Sequence, residues 1–136
     1  MFNLIFSQPN IEDFMLIRKS IGWRNCDRKT TTRSVQNSLF WVSYYDGKRL
    51  IATGRVIGDG AMYFYIQDVI VLPEYQGRGI GAKIMQYIES YLEKNALPNA
   101  TVGLLAAKGK EGFYKKFNYL CRDGETLGYG FCKFVE

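Results

Sequence analysis

The 136-residue sequence predicts an α/β fold built as a single domain over residues 1–136. Three observations carry this. An apolar run, Val69-Ile70-Val71-Leu72, passes through a turn into a glycine-rich segment that opens a helical pattern. Asp46-Gly47 and Asp59-Gly60 separate strand-like runs and supply the positive φ angles of tight turns. Ile80, Ile84, Ile88, Tyr91 and Leu92 recur at helical spacing and define one apolar face. With 47% hydrophobic and 15% aromatic residues, the chain has ample material for one core.

The elements follow in order. Residues 3–6 read as a short edge strand. Residues 9–20 form a helix, with Ile11, Phe14, Met15 and Ile17 on one side, Asn10 as N-cap and Gly22 closing it. A loop over 22–29 leads to a second short helix over 30–39, and residues 40–45 and 49–56 make a hairpin about Asp46-Gly47. Asp59-Gly60 then feeds a strand over 62–72, apolar enough to be central and covered on both faces. Asp68 interrupts it, and strict alternation groups Asp68 with Phe64 and Ile66, opposite Tyr65 and Gln67. A helix over 79–94 ends at Asn95 and Pro98; a strand over 101–106, a helix over 110–117 and a final hairpin ending at 131–135 complete the chain.

Composition excludes several chemistries. No apolar run approaches the ~20 residues that span a bilayer, and the first residues lack a signal pattern, so a cytoplasmic location without a membrane partner is expected. Cys26, Cys121 and Cys132 are odd in number without Cys-x-x-Cys spacing and read as reduced bystanders. The chain has no histidine, which rules out a Ser/Cys-His triad and argues against a metal site. Proton transfer falls to carboxylate, tyrosine, lysine, backbone or water. The net charge of +5 fits either nucleic acid or a phosphate-bearing small molecule.

The segment Gln76-Gly77-Arg78-Gly79-Ile80-Gly81-Ala82 narrows the choice. Glycines at every second position let backbone N–H groups approach an anion, the helix start adds partial positive charge, and Arg78 adds a full one. A P-loop requires Gly-Lys-Ser/Thr where this chain has Gly81-Ala82-Lys83, and a dinucleotide fingerprint requires its third glycine one position later. What remains, Gln-x-x-Gly-x-Gly/Ala after Val-x-Val-x-Pro-x-Tyr, resembles the acetyl-CoA pyrophosphate loop of the GNAT (GCN5-related N-acetyltransferase) superfamily. Phe113-Tyr114-Lys115-Lys116-Phe117-Asn118-Tyr119 resembles the family's later Phe-Tyr-x-x-x-Gly-Phe, with Asn118 in the glycine slot and Tyr119 in the last aromatic slot. Asn tolerates the left-handed conformation that such a helix end demands.

The resemblance covers essentially the whole chain and implies a mixed, mostly antiparallel central sheet splayed between its fourth and fifth strands, with helices on both faces. It implies an acetyl-CoA-dependent N-acetyltransferase acting on a primary amine of a small molecule, by direct attack in a ternary complex, with no metal or nucleic-acid partner; a homodimer is compatible with it. Gln76, Gly77, Arg78, Gly79, Ile80, Gly81 and Ala82 correspond to the diphosphate site, and the backbone of Val69, Ile70 and Val71 to the pantetheine site. Lys83, Lys108, Lys110, Lys115 and Lys116 cluster around the two motifs as a basic rim. Tyr114 corresponds to the residue that assists thiolate departure; the Asn often found seven residues earlier is Ala107. Asp68 resembles the strand acid of glucosamine-phosphate acetyltransferases and reads either as a base for the amine or as a buried structural carboxylate bonded to backbone or Arg55. Acceptor-pocket residues fall in 23–32 and 122–129, with Trp23, Arg24, Arg28 and Arg33 candidates for an anionic acceptor or solvated bases. Other readings are a non-catalytic acyl-CoA sensor and acetylation of a protein lysine or N-terminus.

Overall fold

The computed structural model describes residues 2–136. They divide into two compact units, one up to Leu105 and the other Ala106–Glu136. In the first unit, strands β1 (Phe2–Ile5), β2 (Phe40–Asp46), β3 (Arg49–Gly58), β4 (Tyr63–Val71) and β5 (Thr101–Leu104) form one sheet in that order. The first three pairings are antiparallel, and β4 pairs parallel with β5. A parallel pair needs a crossover, supplied here by α3 (Ile80–Asn95). Helices α1 (Ile11–Ser20) and α2 (Arg28–Gln36) precede β2.

Local chemistry sets the boundaries. The Asn10 side chain accepts from the Asp13 N–H at 2.8 Å and starts α1, and Gly22 at φ 85° closes it. Asp27 caps α2 through the Thr30 N–H at 2.7 Å, so this helix begins two residues before the expected Thr30. The hydroxyls of Thr31 and Thr32 bond back to the carbonyls of Asp27 and Arg28, each at 2.8 Å, which reconciles β-branched threonines with a helix. One Asp59 carboxylate oxygen accepts the N–H groups of Ala61, Met62 and Tyr63 and holds the turn into β4. Among the described residues no helix is long and apolar enough to cross a membrane.

Helices cover both faces of the sheet. On one face α3 buries Ile84, Met85 and Ile88, while Tyr91 stacks on Phe40 with ring centroids 4.5 Å apart. On the other, Phe14 of α1 meets Trp41 edge-on at 5.4 Å, and Val35 of α2 completes the cluster. Gly54 lets α3 approach β3: a Cβ at that position would lie 2.6 Å from Ile84 Cγ2 and 3.2 Å from Ile88 Cδ1. Its φ lies outside the left-handed region, so the need is steric. Gly54→Val is expected to lower stability by about 1–3 kcal/mol through overpacking, read as a lower urea midpoint with unchanged slope.

Strict alternation fails in β4. Arg55 pairs with Gln67 and Thr53 with Ile70, so Asp68 and Val69 together oppose Gly54 in a bulge, and Asp68 adopts φ 54°. The bulge moves Asp68 off the face of Phe64 and Ile66. Its carboxylate bonds the Arg55 side chain, on the face of Gln67 and of helix α1. The β4–β5 ladder stops at Ile66↔Leu104, while β4 continues to Val71. The sheet therefore opens where the fourth and fifth strands are expected to splay.

The second unit holds α4 (Glu111–Lys115). Phe113, Tyr114, Phe117 and Tyr119 gather in edge-on ring pairs 5.1–6.5 Å apart. Asn118 adopts φ 68°, the left-handed conformation anticipated for the glycine slot, and Tyr119 is half-buried rather than fully buried. The expected terminal hairpin does not form: residues 116–136 contain neither helix nor strand. Gly124, Gly128 and Gly130 punctuate the run and remove the side chains a strand needs to pack, and Phe131 is 90% exposed.

Candidate active site

After β4 a 3₁₀ turn, Pro73–Tyr75, leads into the glycine loop. Gly77 and Gly79 adopt φ 78° and 79°, left-handed conformations that glycine, lacking a Cβ, adopts at little cost. Gly79 is the N-cap of α3, and the first bond of the helix is the Lys83 N–H to the Gly79 carbonyl at 3.1 Å. The earlier N–H groups, including those of Ile80, Gly81 and Ala82, have no acceptor within the helix. α1 and α2 carry side-chain caps, whereas α3 has none and no acidic residue in its first turn. Among the described residues nothing lies within 4 Å of a Cβ built on Gly77 or Gly79. An uncapped, acid-free helix start beneath two glycines attracts an anion.

Neighbouring residues brace this cradle. The Gln76 amide donates to the Val71 carbonyl at 2.9 Å and ties the loop to the end of β4. Ile80 is buried with the apolar face of α3 and offers only its backbone. Arg78 lies along the Tyr75 ring, 5.2 Å from its centroid, and donates to the Glu74 carbonyl at 3.4 Å; the Tyr75 hydroxyl donates to Asp46 at 2.6 Å.

The open edge of β4 supplies a second set of backbone groups. The Leu72 N–H donates to Ile51 at 2.9 Å, and Ile70 is paired with Thr53, so alternation turns Ile70 toward β3. Val69 and Val71 turn theirs outward, where β5 has ended. Of the expected Val69, Ile70 and Val71, the first and last present backbone groups on the open edge, and the Val71 carbonyl accepts from Gln76.

Asp68 is 1% exposed and sits between two guanidiniums. Arg55 Nε donates to Oδ2 at 2.8 Å, Arg18 Nη1 donates to Oδ1, and the Gln67 amide reaches Oδ1 at 3.5 Å. Burial pushes the Arg55 guanidinium's pKa down, opposed by the adjacent carboxylate. Arg55 also donates to the Ser34 and Ser38 hydroxyls at 3.1 and 3.0 Å, and lies over the Phe14 and Trp41 rings. Arg18 extends the network to the loop between α1 and α2: Nε donates to Asn25 at 3.0 Å, Nη2 to the Arg24 carbonyl at 2.8 Å, and its guanidinium lies 5.4 Å from the Trp23 ring. With both oxygens engaged and no exposed surface, the carboxylate ties the β4 bulge to Arg18 of α1 and Arg55 of β3. Arg55 is among the partners that the structural reading of Asp68 allows. Arg18 is the residue that sequence reasoning missed, because a basic residue in the last turn of a helix is ordinarily a dipole partner.

Trp23 and Arg24 of the acceptor candidates both meet Arg18, through a ring face and a backbone carbonyl. Arg28 pairs with Glu12 on the surface, Trp23 packs under Arg18, and Trp41 is core. Cys26, Cys121 and Cys132 are exposed free thiols outside both motifs.

Residues 36–120 match the family model for the acetyltransferase (GNAT) domain. The chain belongs to the GNAT family. A solved protein of unknown function from meticillin-resistant Staphylococcus aureus, titled a probable acetyltransferase, is 33% identical and superposes with TM-score 0.88 over 98% of this chain and 100% of its own. An uncharacterized N-acetyltransferase from Prochlorococcus marinus is 31% identical over 84% of this chain, and the match spans 66% of that relative's length. A predicted acetyltransferase from Clostridium acetobutylicum, solved with acetyl-CoA, shares the GNAT fold at 21% identity and TM-score 0.69, over 96% of each chain.

Proposed function

We propose that this GNAT protein transfers the acetyl group of acetyl-CoA to the primary amine of a small molecule by direct attack in a ternary complex. The observation that carries the reading is the uncapped start of α3 under Gly77 and Gly79, reached from a strand whose outer edge has lost its partner. The diphosphate fits the N–H groups of residues 79–82, and the pantetheine amides fit the outward groups of Val69 and Val71. The acetyl-CoA carried by the Clostridium acetobutylicum relative supports the choice of donor.

The chemistry then runs from this chain's residues. A neutral amine nitrogen attacks the thioester carbon, and the surplus proton leaves through water, since Asp68 is already committed to Arg18 and Arg55. As the C–S bond breaks, the Tyr114 hydroxyl protonates the departing thiolate and recovers its proton from solvent; the family's Phe-Tyr motif supports this role. An acyl-enzyme plays no part, because the chain has no histidine to activate its exposed thiols. The same reading makes residues 1–136 one cytoplasmic catalytic domain, without metal, nucleic-acid or membrane partner.

The test is thiol release from acetyl-CoA against a panel of amines. Release that requires both substrates, with one N-acetylated amine formed per thiol, is expected. Tight acetyl-CoA binding without amine-dependent release would establish an acyl-CoA sensor instead.

A further inference from the structure

Gly103 sits inside β5, paired with Tyr65, one rung before the ladder ends at Ile66↔Leu104. Glycine weakens a strand interior, so its presence needs a reason. Conformation does not provide one, because Gly103 is not among the positive-φ residues. Packing does not either, since among the described residues a Cβ built there meets nothing within 4 Å. The space above it belongs to a shallow depression of about 270 Å³ lined by Gly58, Tyr63, Phe64, Tyr65, Thr101 and Gly103. Register places Tyr63, Tyr65 and Gln67 on one face with Arg55, the face that α1 packs against and α3 does not.

We propose that this depression is the acceptor subsite and takes a small primary amine with a flat, apolar body. The inference rests on the acetyltransferase reading, which brings the thioester to the opening beside Leu104. None of the six lining residues carries a charge, so nothing there compensates a phosphate or carboxylate on the acceptor. Tyrosine ring faces attract an ammonium group and favour a flat apolar body. The volume lies just below the ~300–1,000 Å³ of sites for drug-sized ligands and suits a small amine. Gly103 keeps the floor clear, making it a specificity-determining position rather than a structural one.

The test uses acetyl-CoA with 2-phenylethylamine, spermidine and glucosamine 6-phosphate as probes, on wild type, Gly103→Ala and Gly103→Val. Wild type is expected to turn over 2-phenylethylamine with kcat/KM at least tenfold above the other two. Gly103→Val is expected to lose at least tenfold of that kcat/KM and Gly103→Ala several-fold, with acetyl-CoA affinity within twofold and Tm no lower than wild type. If Gly103→Val does not fold, the Ala variant carries the comparison. Undiminished turnover in the folded variants overturns the proposal. A preference for spermidine or the sugar phosphate overturns it too and leaves the transferase reading standing. Absence of thiol release with every amine overturns both.

Discussion

Asp68→Asn is expected to lower the unfolding free energy by about 3–5 kcal/mol, the scale for removing one partner of a buried ion pair. Asn keeps the shape and tolerates φ 54°, so the substitution isolates the charge. Two guanidiniums are then left without their shared anion, one on Arg55, 6% exposed, the other on Arg18. Asp68→Asn combined with Arg55→Gln removes one uncompensated cation and is expected to recover part of the loss, a coupling that urea unfolding of both variants measures. A different result would restore Asp68 as a base: wild-type stability, with kcat/KM falling most steeply below the acceptor amine's pKa.

Tyr114→Phe is expected to lower kcat by about 10²- to 10⁴-fold, the range for loss of a general acid, with acetyl-CoA affinity nearly unchanged. The substitution keeps the ring, which packs edge-on against Phe113 at 5.1 Å and faces Tyr119 at 6.5 Å, and a thermal melt checks that the variant folds. Steady-state kinetics with the best amine, beside calorimetry with acetyl-CoA, separates the two effects. Unchanged kcat would remove the hydroxyl from the mechanism.

What was legible in the sequence was local. Asn10 caps its helix and Asn118 takes a left-handed φ, because each depends on a few consecutive residues. The bulge at Asp68 was illegible for the opposite reason. Its partners Arg18 and Arg55 lie 50 and 13 positions away, and a tertiary ion-pair network overrode the alternation that placed Asp68 with Phe64. The expected terminal hairpin did not form, because strand character requires a pairing partner as well as propensity, and Phe131 and Phe134 stand exposed.

The central claim is that the open start of α3 holds the diphosphate of acetyl-CoA. Titration calorimetry of wild type and Gly79→Asp tests it most directly, with a thermal melt to show that the variant folds. One acetyl-CoA per chain is expected for wild type. In the variant, a carboxylate beside the diphosphate and a strained φ at 79° are expected to weaken binding at least a hundredfold. Equal affinity in a folded Gly79→Asp protein would contradict the account and move the cofactor elsewhere on the molecule.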